Sequence, residues 1–134
     1  MSVASSAKLL KTVLVLDAAT CLAFGVLLTL GAGLLGEWFG LPSDLLLIAG
    51  VILFPCAVLM YVTGRQATPS PALVWLIIIG NVGWVIASIA ILLLPAISPS
   101  LLGFGFVIVQ ALAVCLLAGL EYRMLASTGK LATA

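Results

Sequence analysis

The chain has no histidine, and only 7% of its 134 residues are charged, five basic and four acidic. Soluble domains carry about 25% charged residues, so this chain has too little charge to cover a surface facing water. Without histidine, the commonest general base and metal ligand is missing. Cysteine is scarce as well: Cys21, Cys56 and Cys115 form an odd set without CxxC spacing, each inside an apolar run. They read as small packing residues rather than a metal or redox centre. There is no basic patch interleaved with aromatics, which sets nucleic acid aside as a partner. No nucleophile motif, no metal set and no two carboxylates at a shared depth are apparent, so an enzyme is not expected and no cofactor or catalytic residue is assigned.

What the chain does have is hydrocarbon. Hydrophobic residues make up 65% of it and the mean hydropathy is +1.45. Four apolar runs are each long enough to cross a bilayer as a helix. They predict an all-α, four-helix transmembrane bundle, a single domain over 1–134, with spans at about 9–30, 44–63, 72–94 and 101–122. The lysines before the first run resemble a signal peptide, but the run is too long and no A-x-A site follows. It is read as a retained span, and residues 1–8 as a short tail or frayed helix start.

Residues 33–44 (GLLGEWFGLPSD) read as a loop with Trp38 and Phe39 as interfacial anchors. Ser43 or Asp44 is expected to cap the second span. Pro55 predicts a kink inside that span, Pro71 suits the first turn of the third, and Ser100 suits the cap of the fourth. For four spans, Lys8, Lys11, Arg65, Arg123 and Lys130 fall on one side, against Glu37 and Asp44 on the other. The positive-inside rule then places both termini in the cytoplasm, in a cell's inner membrane.

Polar residues inside the spans are few and carry the functional question. Asp17 lies in the run from Val13 to Leu30, where an acid costs at least ~2.5 kcal/mol on insertion scales and requires a partner, water or a proton. At a rise of about 1.5 Å per residue it stands roughly 9 Å along the helix from Lys11. Thr20, Cys21 and Gly25 share its face. Asn81, with Trp84 and Ser88 on one face of the third span, is its expected partner, and Gln110 lies near the centre of the fourth. The expected polar cluster is Asp17, Asn81, Trp84, Gln110 and Thr20, with helix-to-helix hydrogen bonding as the plainer role of the two amides. Glu121 with Arg123 reads as an interfacial charge cluster, and Trp75, Trp84 and Tyr61 as anchors or packing. Ala111, Cys115 and Gly119, with Gly83 and Ala87, form stripes of small residues that let helices approach closely.

Residues 16–30 (LDAATCLAFGVLLTL), 81–88 (NVGWVIAS) and 118–123 (AGLEYR) resemble segments of a group of small bacterial four-span inner-membrane proteins of unassigned function. The resemblance implies the topology and the bacterial inner membrane, but no activity, ligand or site. Two functions are thus expected of the chain. The first is a non-catalytic membrane protein, a homo-oligomer or an accessory to a larger complex, built around the Asp17–Asn81 cluster. The alternative is a proton-coupled carrier or channel for a small solute or cation, with Asp17 as the titrating group.

Overall fold

The computed structural model describes the backbone of residues 2–133 and the side chains of 2–129, so the side chain of Lys130 lies outside the described residues. Five helices are described. Helix α1 runs Val3–Leu30 and starts well before the expected boundary, because the Ser2 side chain accepts from the Ser5 amide at 3.1 Å and caps it. Residues 3–8 of the supposed tail therefore belong to the helix, and Ser6 is fully buried.

Gly31 ends α1, and the segment expected to be a loop instead forms a short helix, α2, Ala32–Phe39. It stops at Gly40, whose φ of 64° is the left-handed conformation glycine adopts without steric cost. Trp38 is exposed as an interfacial anchor would be. Phe39 is not an anchor: it is buried, with its ring stacked on Phe106 at 4.6 Å. The amphipathic turn of α2 puts it inward while Trp38 points out.

Helix α3 spans Ser43–Arg65 and continues through Pro55. Its cap position is Pro42, with no side-chain cap, so neither Ser43 nor Asp44 plays the expected part. Helix α4, Pro71–Leu93, begins on its proline as expected. Helix α5, Leu101–Thr133, is capped by Ser100, whose hydroxyl accepts from the Gly103 amide at 3.1 Å. It runs well past the expected end at residue 122.

Helices α1, α3, α4 and α5 are each long and apolar enough to span a membrane. Helix α1 packs against α3 and α5, and α4 packs against α5, while α3 and α4 touch little. Close approach is set by glycines that the small-residue stripes did not single out. A Cβ on Gly50 would lie 2.7 Å from Thr29 Oγ1 and 2.9 Å from its amide nitrogen, so α1 and α3 meet nearly backbone to backbone. A Cβ on Gly103 would run into the Phe39 carbonyl, which is how α2 seats on α5.

Two apolar clusters fill the interior. Phe39, Leu35, Leu46, Leu53 and Val107 pack at the α2 end, and Leu10, Leu14, Met60, Val74 and Ile77 at the end that carries the termini. Between 22% and 28% of each span's most apolar window is buried. The remainder, including Leu16, Ile48, Ile79, Val109 and Leu116, points outward as lipid-facing surface.

Candidate functional site

Three helices each contribute one polar side chain to a single point between them. Asn81 Nδ2 donates to Asp17 Oδ2 at 3.0 Å and to Glu121 Oε2 at 3.1 Å. An amide nitrogen has two hydrogens, so one group satisfies two acids from two different helices. Asp17 is 2% exposed, Asn81 6% and Glu121 0%. Asp17 stands near the middle of α1 and Asn81 near the middle of α4. The Asp17–Asn81 bond predicted from spacing is therefore present.

Glu121 is the correction. It does not form an interfacial pair with Arg123, which is exposed on the next face. It turns inward because α5 continues for three further turns, which places residue 121 inside the helix rather than at its exit. The expectation that no two carboxylates share a depth fails at the same point. The carboxyls of Asp17 and Glu121 converge on the same Asn81 amide nitrogen. Glu121 Oε1 is buried with no donor on it. The remaining oxygen of Asp17 faces the Cys21 thiol, Sγ to Oδ1 being 3.8 Å, and that sulfur also lies 3.6 Å from Met60 Sδ. Cys21 thus serves as a weak donor as well as a packing residue.

The other expected members of the cluster lie elsewhere. Trp84 and Gln110 form a second polar group on α4 and α5: Trp84 Nε1 donates to Gln110 Oε1 at 2.8 Å. Gln110 Nε2 donates to Ser88 Oγ at 3.0 Å and to the Val107 carbonyl at 2.8 Å, and Ser88 Oγ donates to the Trp84 carbonyl at 2.7 Å. Neither residue bonds to Asp17 or Asn81. Thr20 is exposed and returns its hydroxyl to the Leu16 carbonyl at 2.9 Å, so it leaves the cluster altogether. Sharing a face with Asp17 at i+3 was not enough, because the buried stripe of α1 is narrower than the arc those residues span.

Of the small-residue stripes, Ala111 is buried in the bundle. Gly83, Ala87, Cys115 and Gly119 are exposed on the outer side of α4 and α5, and do not bring helices of this bundle together. Cys115 and Gly119 line a shallow apolar groove with Ile78 and Val82. Among the aromatics, Trp75 meets the Tyr122 ring edge-on at 5.7 Å, and Arg65 lies over the Tyr61 ring at 6.0 Å. Among the described residues no group of three or more His, Cys, Asp or Glu could hold a metal ion.

Chemically, the Asp17–Asn81–Glu121 node can tie three spans together, and it can hold a proton or a small cation between two acids. Comparison with known proteins adds no kinship to this geometry: no family model matches the chain, and neither does any curated protein or solved structure.

Proposed function

We propose that this chain is a small non-catalytic protein of a bacterial inner membrane, with both termini in the cytoplasm, whose central node is a proton-holding latch between α1, α4 and α5. The observation that carries this reading is one buried amide bonded to two buried carboxyls. Two ionised acids side by side in hydrocarbon repel one another and strand their charge. With both carboxyls held at one amide nitrogen, a proton on either of them neutralises half the charge and adds a donor where Glu121 Oε1 has none. No lysine or arginine bonds to either acid among the described residues.

The protein acts as a homo-oligomer or as an accessory to a larger membrane complex. Support comes from the exposed Gly83, Ala87, Cys115 and Gly119, where a neighbouring helix could approach α4 and α5 closely. The orientation rests on the one-sided distribution of lysine and arginine. Kinship with small bacterial four-span proteins rests on three stretches, each of which holds one member of the node.

Infrared difference spectroscopy in detergent tests the latch. A protonated-carboxyl band that disappears in Asp17→Asn or Glu121→Gln is the expected result, and its absence from the unaltered protein removes the reading. Native mass spectrometry in mild detergent tests association: a monomer at every concentration rules out the homo-oligomer and leaves the accessory role.

A second reading, a proton-coupled carrier or channel for a small solute or cation, draws on the same node. It is favoured by the wide cleft at the termini, whose walls include Leu16 and Tyr122, the sequence neighbours of the two acids. In proteoliposomes this reading requires pH-gradient-driven flux that Asp17→Asn abolishes while the helices remain folded.

A further inference from the structure

The cleft at the end carrying the termini has a volume of about 1440 Å³ and is bounded by the first turns of α1, the α3–α4 connector, the start of α4 and the last turns of α5. It exceeds the roughly 300–1,000 Å³ typical of small-molecule pockets. Lys8, Lys11 and Arg65 all line it, and no aspartate or glutamate does. The four acids lie elsewhere: Asp17 and Glu121 are engaged in the node, and Glu37 and Asp44 belong to the opposite end. Among the described residues none of these three cations is paired with a carboxylate, and Arg65 has only the Tyr61 ring beneath it. Three positive charges thus converge on one hollow without a counter-charge from the described residues.

The rest of the wall specifies what brings the counter-charge. Below the cations the lining turns apolar, with Val15 and Leu16 on one side and the Trp75–Tyr122 pair on the other. Tryptophan and tyrosine settle at headgroup level, and basic pockets between spans are a recurrent form of lipid recognition. A free anion would satisfy the cations but leave this apolar floor unoccupied. We infer that the cleft binds an anionic phospholipid from the leaflet facing the termini, its phosphate between Lys8, Lys11 and Arg65 and its glycerol and upper acyl chain against Trp75, Tyr122 and Leu16. The inference does not depend on the node being a proton site, since none of the three cations touches it.

The test is native mass spectrometry of the full chain in mild detergent, titrated separately with phosphatidylglycerol, phosphatidylcholine and inorganic phosphate. The expected result is retained phosphatidylglycerol adducts, few phosphatidylcholine adducts and no displacement of lipid by phosphate. Replacing all three cations, Lys8→Gln, Lys11→Gln and Arg65→Gln, weakens phosphatidylglycerol binding by roughly a hundredfold, about fivefold per charge. Arg123→Gln, outside the cleft, leaves it unchanged, and Lys8→Arg with Lys11→Arg retains it, which separates lost charge from lost fold. Equal binding of the two lipids, tight binding of phosphate alone, or a triple variant that is folded by circular dichroism and still binds phosphatidylglycerol normally would each overturn the inference.

Discussion

The molecule has two polar groups inside its spans, and they are built on opposite plans. The group on Trp84, Gln110 and Ser88 is neutral and saturated: the Gln110 carbonyl and nitrogen and the Trp84 nitrogen all have partners, two of them backbone or indole groups on the same two helices. It needs nothing from outside. The group on Asp17, Asn81 and Glu121 draws on three helices, contains two acids for one amide, and leaves Glu121 Oε1 without a donor. If hydrogen-bond glue between helices were all the bundle required, the first plan would serve at both places. The contrast is what makes the second group the candidate site and leaves the first as helix packing.

The sharpest way to break the contrast is Asn81→Leu. It strands two buried carboxyls and should cost about 3 kcal/mol, two interhelical bonds plus the penalty for unsatisfied groups. Reversible unfolding in mixed detergent measures it, and a loss below that of any Gln110 variant would reverse the ranking of the two groups. Gln110→Leu removes the hub of the neutral group and leaves the Trp84 nitrogen bare, for an expected loss of about 1–2 kcal/mol in the same assay.

The double change Asp17→Asn with Glu121→Gln turns the acidic node into a copy of the neutral one. Stability should then stay within about 1 kcal/mol of the starting protein or rise, because no charge is left in hydrocarbon. The smallest effect belongs to Thr20→Val, at most about 0.5 kcal/mol, since that hydroxyl bonds only within its own exposed turn. A larger loss would return Thr20 to the node.

Much of this was legible in the residues themselves. Run length gave the four spans, and the scarcity of polar groups inside them made Asp17 and Asn81 natural partners. Glu121 was not legible, for a definite reason. Tyr122 and Arg123 behind it look like a span's exit, and apolar run length cannot reveal that α5 continues to Thr133 with Met124 and Leu125 packed on the lower cluster. Phe39 was misread for a related reason: the GLLGEWF stretch is glycine-rich enough to resemble a loop, and its helical turn became visible only where Gly103 leaves room for it on α5. The small-residue stripes were found correctly as patterns. Which of them face a partner depends on which helices are neighbours, and a single sequence does not encode that in its periodicity.

The thin contact between α3 and α4 has a consequence of its own. Consecutive in the chain, these helices do little to hold each other, and the halves on either side of the connector meet instead through α1 and α2 on α5 and through the three-residue node. A polypeptide severed between Ala67 and Thr68 would lose one covalent tether and almost none of its seam. Translated as two separate pieces, the halves would still share the α1–α5 and α2–α5 contacts and the node that join them in the intact chain.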